Sequence, residues 1–565
     1  MKKIGFYLLF IGLLLFLGSI EDTTARATQL DATSHSIFKE HALVPNDSSD
    51  QSAKLQYLLK ITAEQGDALF IPKGSYIINQ SIDITSNMQV IGDKSGASVF
   101  KSTSKTPVSF QDQKYAKSNH IAFKNLYFDG VNIFARLVDE MQLENNVFYN
   151  LMTKYPIELS VVNQAQIKNN LFMRDYTHSK PAEDYNRMIY VGGYSTNSRY
   201  EYMQDLTVID NLFGLKLNEL DAIKSFSRSD VIETIKHLQN SIEKQEVDIH
   251  GGNEQNYFST GINSYSMLKG ALIRNNLFYQ SYDNEDTHEV TGDHATYLRG
   301  AQDVQLISNH LRGLANGPAG GFKFKSGRNI TIMNNYLRNT GIIMYGTPEY
   351  GLGQSYKEGP ISELSNWLVS GNQFDWKYWQ EKYAIGIEYN QHTGNDHVAN
   401  GVFIDNKFTH YENIPANKRR GLLIASDTGG FRGENTFVSG NTRDDRLDGK
   451  LTPEKWGEND FSSMPISFDD LIPSKQLDQY HLYKDASIPV RNTLPIAKTG
   501  ITISSGDQIS PYDFVEQLND KDEAKPKAEI LNPEVLDQHG NQKVYIQLSY
   551  KDQSAVLVGV EVTIK

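Results

Sequence analysis

The feature that most constrains this fold is a short pattern that recurs along the chain: an Asn, one further residue, and then an aromatic or aliphatic residue. Most copies follow a short run of alternating polar and apolar residues, and the tightest intervals are about 21 to 26 residues. Such a period indicates a stack of repeated units. The copies begin at Asn125, Asn145, Asn169, Asp210, Asn275, Ser308, Asn334, Gly371 and Asp405, with a weaker copy at Glu434.

The physics of this repeat favours a parallel β-helix. A unit of two or three short strands cannot bury its apolar face alone, so it stacks on copies of itself about 4.8 Å apart. Asn at a tight bend tolerates left-handed backbone geometry and hydrogen-bonds neighbouring amides, and stacked Asn residues extend these bonds along the axis. The pattern therefore predicts an all-β protein, a right-handed parallel β-helix of about ten coils. The Leu spacing of a leucine-rich repeat and the ~40-residue blades of a propeller are both missing.

Residues 46–92, which read NDSSDQSAKLQYLLKITAEQGDALFIPKGSYIINQSIDITSNMQVIG, resemble the N-terminal part of pectate-lyase-superfamily β-helix proteins. The resemblance implies a short helix that caps the open end of the β-helix, followed by the strand IPKGSY that starts the winding. A cap also has a physical purpose, because an open end is an exposed sheet edge. The resemblance extends over residues 46–441. It implies no single activity, because the superfamily includes polysaccharide lyases, glycoside hydrolases, epimerases, phage tailspikes and inactive adhesins.

The rest of the chain divides into segments of different composition. Residues 1–27 read as a signal peptide, since two lysines precede a long apolar run and TARAT offers an Ala-x-Ala cleavage site; an uncleaved membrane anchor is the alternative. Within the β-helix domain, 28–441, a helical insertion is predicted at about 214–250. Residues 442–492 read as a connector. Residues 493–565 alternate polar and apolar residues and resemble the Ig-like β-sandwich modules of Gram-positive surface proteins.

Composition limits the partners and the compartment. The formal net charge of −13 argues against nonspecific nucleic-acid binding, which needs a basic face, but local patches of positive charge remain compatible with an anionic glycan. The chain contains no cysteine, which excludes disulfides and thiolate metal sites. No later stretch approaches the ~20 apolar residues of a membrane span. We expect a secreted or cell-surface monomer, with the C-terminal module contacting a cell wall or host surface.

A group of cationic and aromatic residues falls on four consecutive predicted coils. In GGFKFKSG, Phe322 and Phe324 should point inward, so that Lys323 and Lys325 point outward. Aligning the coils by their Asn bends places the segment DHATYLRG beside these lysines, with GIIMYGT and AIGIEYNQH on the two coils that follow, where Tyr345 and Glu388 should extend the column. The predicted catalytic residues are His294, Tyr297, Arg299, Lys323, Lys325 and Tyr345.

This group suits β-elimination on a uronate-containing polysaccharide. Arg or Lys neutralises the sugar carboxylate and so acidifies the C5 proton. A Lys, His or Tyr whose pKa is lowered by neighbouring cations removes that proton, and Tyr can protonate the leaving oxygen. The alternative for these side chains is that outward Lys and Arg are ordinary solvated residues. No family motif assigns the roles position by position.

Two further sets of residues are predicted to bind ligands. The loop SYDNEDTHEVTGDH concentrates oxygen ligands of the kind that Ca²⁺ prefers, although its spacing is not that of an EF-hand and a solvated acidic loop is the alternative. Aromatic faces stack on sugar rings, so NWLVSGNQFDWKYW could line a glycan groove or could pack a loop onto its coil. The tentative Ca²⁺ ligands are Asp283, Glu285, Asp286, Glu289 and Asp293, and the predicted substrate-binding residues are Glu388, Trp376, Trp379 and Arg328.

The predicted function is therefore a secreted polysaccharide lyase acting on an acidic glycan. A glycoside hydrolase on the same fold would need two carboxylates about 5 to 10 Å apart, for which Glu388 with Asp293 or Asp405 are the candidates. A noncatalytic glycan-binding surface protein and a C5-epimerase are further alternatives. No organic cofactor is expected, and a phage tailspike is less favoured because tailspikes lack a signal peptide.

Overall fold

The structure is a computed structural model that describes residues 28–112, 117–151, 153, 155–173, 187–196, 199–215, 260–264, 268–279, 294–312, 320–346, 364–376, 385–391, 398–404, 406–410, 420–426, 437–439, 442–443, 479–482, 496–504, 507–518, 525–530, 533–549 and 555–565. Parallel strands dominate this part of the chain. They stack into a parallel β-helix, in agreement with the predicted architecture.

Each full coil contributes strands to three stacked faces. Faces 1 and 2 belong to one sheet of twenty described strands, because some strands run continuously from one face onto the other. The continuous strands are β10 (Val131–Glu144), β12 (Ile157–Lys168), β22 (His294–Ile307) and β24 (Phe322–Met333). Face 1 also contains β4 (Ile82–Asp83), β7 (Val108–Gln111), β14 (Arg187–Gly192), β19 (Thr260–Ser264), β26 (Ile342–Gly346), β29 (Ile385–Gln391) and β32 (Arg420–Ser426).

Face 2 consists of the second halves of the continuous strands and of strands that pair with them in parallel. These are β1 (Gln29–Asp31), β2 (Ala68–Ile71), β5 (Gln89–Gly92), β8 (Ser118–Lys124), β17 (Met203–Ile209), β20 (Leu268–Arg274), β27 (Leu364–Ser370), β30 (Val398–Ile404) and β33 (Phe437–Ser439).

Face 3 is a separate parallel sheet in which twelve described strands follow one another in chain order. Two of them precede the first copy of the Asn pattern, which is why the repeat by itself indicated about ten coils. The strands are β3 (Gly74–Ile77), β6 (Ser98–Lys101), β9 (Tyr127–Asp129), β11 (Val147–Tyr149), β13 (Leu171–Met173), β18 (Leu212–Leu215), β21 (Leu277–Tyr279), β23 (His310–Arg312), β25 (Tyr336–Arg338), β28 (Gln373–Asp375), β31 (Lys407–Thr409) and β34 (Thr442–Arg443).

The continuous strands turn the corner between faces 1 and 2 at residues with left-handed backbone geometry. Positive φ is rare for Val and Leu, so tertiary pairing on both sides must impose it at positions such as Val161 and Leu137. The corner pairs are Leu137 and Glu140, Val161 and Gln164, Gly300 and Asp303, and Ser326 and Asn329. Because the chain changes direction within one strand, residues only three apart belong to different faces.

The Asn pattern builds a continuous hydrogen-bonded ladder at the corner before face 3. The first residue of most copies takes a positive φ, and the second residue, an Asn, is buried. Each Oδ1 accepts the backbone N–H and the side-chain N–H of the Asn on the preceding coil, at 2.8–3.1 Å. The ladder residues are Asn146, Asn170, Asn211, Asn276, Asn309, Asn335, Asn372 and Asn406.

Two copies of the pattern depart from this arrangement. In the copy at Asn125, Leu126 occupies the ladder position, and only its backbone N–H reaches Oδ1 of Asn146. The prediction that Glu434 begins a copy of the pattern is wrong. Phe437 begins β33 on face 2, and the face-3 strand of this coil, β34, begins only at Thr442.

The side chain two positions after each ladder position fills the interior. Phenylalanines in register on face 3 stack nearly parallel, with ring centroids 4.6–5.1 Å apart. These rings are fully buried and run along the axis with the aliphatic side chains of faces 1 and 2. The stacked residues are Phe128, Phe148, Phe172, Phe213 and Phe278, and Phe374 and Phe408 repeat the contact farther along.

The predicted capping helix is present. After the short helix α1 (His35–Phe38), helix α2 (Ser52–Gln65) buries Leu55, Leu58 and Leu59 against the first coils. It ends at Gly66, whose positive φ of 73° allows the N–H groups of Gly66 and Asp67 to bond carbonyls of the last turn. The helix therefore covers the apolar end of the β-helix, as the resemblance implied.

The C-terminal residues form mainly antiparallel sheets with a hydrophobic core of their own, which includes Phe514, Val544 and Val560. Residues 479–482, which were predicted to lie in the connector, pair with the last strand of this part, and residues 442–443 still pair with face 3. Its strands are β35 (Gln479–Leu482), β36 (Ile496–Ala497), β37 (Ile501–Ile503), β38 (Val515–Gln517), β39 (Lys527–Ile530), β40 (Gly540–Ser549) and β41 (Ala555–Ile564).

The remaining described elements are small. A two-stranded hairpin is formed by β15 (Tyr194–Thr196) and β16 (Arg199–Glu201), and three 3-10 turns lie at Lys39–His41, Pro511–Phe514 and Pro533–Asp537. The predicted signal peptide, 1–27, and the predicted helical insertion beyond Leu215 lie outside the described residues. Within the described ranges, no helix is long and apolar enough to cross a membrane.

Candidate functional site

The strand register brings the predicted cationic and aromatic residues together on face 1. Tyr297 lies directly opposite Lys323, and Arg299 lies directly opposite Lys325, on adjacent coils. Phe322 and Phe324 are fully buried, whereas both lysines are only half-buried. The predicted inward and outward alternation in this strand is therefore confirmed.

Cations from two coils contact the ring of Tyr297. The guanidinium carbon of Arg299 lies 4.6 Å from the ring centroid, and Nζ of Lys323 lies 4.7 Å from it. Both distances fall within the range of cation–π attraction. Face 1 thus places a phenol and positive charge from two neighbouring coils in direct contact.

His294 adjoins this group but is not on the exposed surface that the sequence predicted for it. Its side chain is fully buried, its Nδ1 lies 2.7 Å from the carbonyl oxygen of Gly320, and its ring meets that of Tyr297 edge-on at 5.4 Å. The local pairing is irregular, because the N–H groups of Ala295 and Thr296 both donate to the carbonyl of Gly321. This irregularity at the start of β22 changes the side-chain alternation on which the prediction relied.

Tyr345 and Glu388 are placed by their backbone pairing. Tyr345 pairs with Lys325 on the next coil. Glu388 pairs with Ile343, which itself pairs with Lys323, so Glu388 lies two coils beyond that lysine in the same column. Ile343 is fully buried between them. The register thus places both residues on face 1 beyond the cluster, and their role in the site stays a prediction.

Arg328, a predicted substrate-binding residue, lies around a corner from the Tyr297 cluster. The chain turns at Ser326, where φ is 57°, and Arg328 pairs with Gln302 at the start of face 2. Its Nε and one terminal nitrogen both donate to Oε1 of Gln302, at 2.9 and 2.7 Å. The corner separates Arg328 from Lys325 although the two are close in sequence.

The prediction that Trp376 stacks on a sugar is wrong. Its side chain is 1% exposed and lies parallel to the rings of Phe374 and Phe408 inside the β-helix. Trp367 is also buried, edge-on to Phe324. Both side chains pack inside the β-helix, Trp367 from strand β27 on face 2 and Trp376 directly after strand β28 on face 3. Trp379 lies outside the described residues.

The five predicted Ca²⁺ ligands, from Asp283 to Asp293, also lie outside the described residues, as does Asp405. Among the residues that the structure does describe, no group of three or more His, Asp or Glu side chains is arranged to hold a metal ion. The Ca²⁺ site in the acidic loop therefore stays a prediction.

Sequence reasoning missed a second aromatic and cationic group, two coils upstream on face 1. The rings of Tyr155 and Tyr190 lie 5.0 Å apart, and a terminal nitrogen of Arg187 donates to the Tyr155 hydroxyl at 3.0 Å. Through Asn263, Tyr190 belongs to the same outward column as Tyr297. No local motif marks these residues, since only the pairing of distant strands places them beside the cluster.

The neighbouring ion pair on face 1 joins Arg136 to Glu158 at 2.9 Å. Glu158 lies directly opposite Tyr190 on the adjacent coil. The described part of face 1 thus carries, in order along the axis, an ion pair, a tyrosine and arginine platform, a buried Asn, and the Tyr297 cluster. Such alternation of aromatic and charged groups is suited to a polar polymer that lies along the axis.

A family described as rhamnogalacturonase A/epimerase, pectate lyase-like, matches residues 36–240 of the chain. This segment includes the capping helix, the first coils and the platform of Tyr155, Tyr190 and Arg187, and it is pectate-lyase-like in sequence. No curated protein matches the chain.

Several solved structures are similar to this chain at low identity. The surface protein and adhesin PfbA of Streptococcus pneumoniae has a TM-score of 0.48 at 12% identity, covering 74% of this chain and 97% of its own. The Dettilon tailspike protein has a TM-score of 0.41 at 11% identity, covering 94% of each chain. DFA-IIIase from Arthrobacter chlorophenolicus A6 has a TM-score of 0.39 at 11% identity, covering 75% of this chain and 90% of its own. The fold assignment rests on the strand pairings described above.

Proposed function

We propose that this protein is a secreted polysaccharide lyase that cleaves an acidic, uronate-containing glycan by β-elimination. The observation that supports this proposal is the contact of Tyr297 with Arg299 on its own coil and Lys323 on the next. β-Elimination needs a proton-transfer group beside positive charge, and this contact supplies both on one outward face.

The cations act on the sugar carboxylate. Arg299, Lys323 and Lys325 occupy two adjacent coils, which lie about 4.8 Å apart in a sheet. Cations held this close together attract a carboxylate from both coils. Neutralising the carboxylate makes the C5 hydrogen of the uronate more acidic, because charge that develops on the sugar acid is stabilised.

Tyr297 then removes the C5 proton. Its phenol oxygen, beside the cations of two coils, is the proposed base. The C5–H electron pair forms a double bond between C4 and C5, and the bond from C4 to the glycosidic oxygen breaks with its electrons on that oxygen. The leaving oxygen takes a proton, for which Tyr345, opposite Lys325, is the proposed donor.

The pectate-lyase-like match over residues 36–240 supports a carbohydrate-active role. Secretion is proposed from the signal-like residues 1–27, and attachment to a wall or host surface is proposed for an Ig-like C-terminal module. Ca²⁺ bound in the acidic loop is a further proposal. If it is correct, chelation lowers activity or the melting temperature, and unchanged values for both remove the metal from the mechanism.

Noncatalytic glycan binding is the second candidate. The observation that favours it is the platform of Tyr155, Tyr190 and Arg187, which can hold a sugar by stacking and hydrogen bonding without any chemistry. Both candidates place the glycan on face 1 and differ only in what the Tyr297 cluster does to it.

The test is an ultraviolet scan of the purified full chain with pectate, alginate, hyaluronan, chondroitin, heparin and glucuronan, with and without Ca²⁺. β-Elimination produces an unsaturated uronate that absorbs, whereas hydrolysis produces only new reducing ends. Rising absorbance that disappears in Tyr297→Phe supports the lyase. New reducing ends without absorbance would instead support a pair of carboxylates that includes Glu388. Binding without either product would support the noncatalytic candidate.

A further inference from the structure

Arg187 supplies the positive charge of the tyrosine and arginine platform on face 1. It lies in β14 and is half-buried, and a terminal nitrogen of its guanidinium donates to the Tyr155 hydroxyl at 3.0 Å. The guanidinium carbon lies 5.5 Å from the centroid of the Tyr155 ring. Among the residues that the structure describes, no Asp or Glu forms an ion pair with Arg187, whereas Arg136 on the same face is paired with Glu158 at 2.9 Å.

The surroundings of Arg187 suit a carboxylate that belongs to a sugar. A guanidinium carries five N–H donors in a planar fork that matches a carboxylate, and the contact with the Tyr155 hydroxyl engages one of its nitrogens. That bond holds the fork beside the rings of Tyr155 and Tyr190, whose centroids lie 5.0 Å apart. Aromatic faces stack on sugar rings. The platform therefore offers a stacking surface and a charged donor to the same sugar, which is the combination that a uronate requires.

The separation of the platform from the Tyr297 cluster matches a short length of polysaccharide. Tyr190 and Tyr297 lie in one outward column, two coils apart, and stacked coils repeat about every 4.8 Å. One sugar of an extended polysaccharide advances by nearly the spacing of one coil. A glycan whose cleaved uronate lies at Tyr297 therefore brings the second sugar along the chain to the platform.

The coil between the two groups carries no charge in its described strand. Strand β19 (Thr260–Ser264) reads TGINS, and all five of its residues are buried. The sugar above this strand meets neither a cation nor a carboxylate from it, so that sugar needs no charge of its own. Positive charge on face 1 thus meets the first and the third sugar of such a segment, and not the second.

We propose that Arg187, with the rings of Tyr155 and Tyr190, binds the carboxylate of a second uronate, two sugars away from the cleaved one. This assignment rests on the proposed binding of an acidic glycan on face 1. The second site takes no part in bond cleavage, but it determines which glycosidic bond lies at Tyr297. Arg187 is thus a specificity-determining residue that requires a carboxylate on that sugar.

The test is a calorimetric titration of the full chain with six-sugar fragments of the same six polysaccharides. All variants are made in the Tyr297→Phe background, so that the fragments are not cleaved during the titration. Arg187→Ala removes the side chain, Arg187→Gln keeps a neutral donor, and Arg187→Lys keeps the charge without the planar fork. The control is Lys269→Ala, which removes an exposed lysine of face 2. Melting temperatures establish that each variant is folded.

We expect one fragment to bind per protein and to contact both groups. Arg187→Ala and Arg187→Gln should each raise its dissociation constant about tenfold, because both remove a charged hydrogen-bond donor from the carboxylate. Arg187→Lys should recover part of that loss, since a carboxylate still meets a positive charge. Lys269→Ala should leave the dissociation constant unchanged.

The outcomes separate this inference from the proposed function. Unchanged affinity in Arg187→Ala would overturn the second uronate site and leave the lyase standing. Unchanged affinity in Arg187→Gln alone would also overturn it, because a neutral donor would then be sufficient and the partner would be a hydroxyl. Two fragments bound per protein, one of which is lost in Arg187→Ala, would overturn the placement of both sites on one glycan.

The lyase is decided by the ultraviolet scan. Fragment binding that depends on Arg187, with no rise in absorbance when Tyr297 is present, would overturn the lyase and keep the second uronate site as part of a noncatalytic glycan-binding face. Failure of the wild type to bind any of the six polysaccharides would overturn both proposals.

Discussion

Lys323 lies directly opposite Tyr297 on the neighbouring coil, with its Nζ 4.7 Å from the centroid of the phenol ring. Parallel stacking of coils produces this contact, since the two residues belong to different strands that pair in register. Arg299 completes the arrangement on the Tyr297 side of the strand pair. The proposed chemistry therefore requires side chains from two adjacent coils.

Lys323→Ala and Tyr297→Phe should each lower kcat/KM for β-elimination by a factor of about 10² to 10⁴, the usual range for loss of acid–base assistance. Their melting temperatures should stay near that of the wild type, because both side chains point away from the core. The matched control is Lys269→Ala, which removes an exposed lysine on face 2 and should leave the rate unchanged. A large loss of stability in Lys323→Ala would show that the outward register is wrong.

Asn309→Ala should lower the free energy of unfolding by about 2 to 4 kcal/mol, because it leaves several buried groups without partners. Asn309 accepts two hydrogen bonds from Asn276 and donates to Oδ1 of Asn335 and to the carbonyl of Ile273. Urea denaturation measures the change. The control is Asn119→Ala on an exposed part of face 2, which should change stability by less than about 0.5 kcal/mol. Equal effects at the two positions would contradict a structural ladder.

His410→Asn should keep nearly the wild-type melting temperature, whereas His410→Ala should lower it. Nδ1 of His410 lies 2.7 Å from Oδ1 of Asp375, a buried carboxylate that also accepts a hydrogen bond from the Tyr336 hydroxyl. On an earlier coil, Asn150 makes the equivalent bond to Asp129 at 2.6 Å from the same left-handed position. Asn can therefore replace the histidine in its structural role, and Ala cannot.

Thermal unfolding of both variants and the wild type measures this difference. If Asn and Ala lower the melting temperature equally, the comparison between the two coils is invalid. If neither variant lowers the melting temperature, the buried carboxylate of Asp375 is satisfied without His410.

Asp139→Asn should reduce stability at pH 5 and have a smaller effect as the pH approaches about 2.5. The hydrogen bond from Lys117, whose Nζ lies 2.6 Å from the carboxylate, lowers the pKa of Asp139; partial burial acts in the opposite direction, and the amide of Asn163 adds to the lowering. A lowered pKa in the folded state stabilises the protein above the unfolded pKa of about 3.9. That contribution is lost as the pH falls through the folded pKa.

Urea midpoints of the wild type and Asp139→Asn between pH 5 and 2.5 test this prediction. The difference between the two proteins should decrease at the acidic end. A difference that is constant across the range would show that the carboxylate charge does not carry the interaction.

The alternation within GGFKFKSG is a case in which local sequence was sufficient. The period of two in a strand fixes which of Phe322, Lys323, Phe324 and Lys325 share a face, and the Asn pattern aligns adjacent coils. The pattern also predicted bends and stacked Asn residues. It did not distinguish their roles: Asn169 takes the left-handed bend, whereas the next residue, Asn170, forms the ladder.

By itself, the sequence determined that the chain is a stack of parallel coils with Tyr297, Arg299, Lys323 and Lys325 grouped on one face, while the capping helix was implied by a resemblance. These features depend on local periodicity and on neighbouring repeats of similar length. Only the tertiary structure decided that Trp376 points inward and that Arg328 lies around a corner, because left-handed residues at the corners redirect the strands that contain them. It alone placed Tyr190 and Asn263 beside Tyr297, since inserted segments of unequal length separate these coils in sequence.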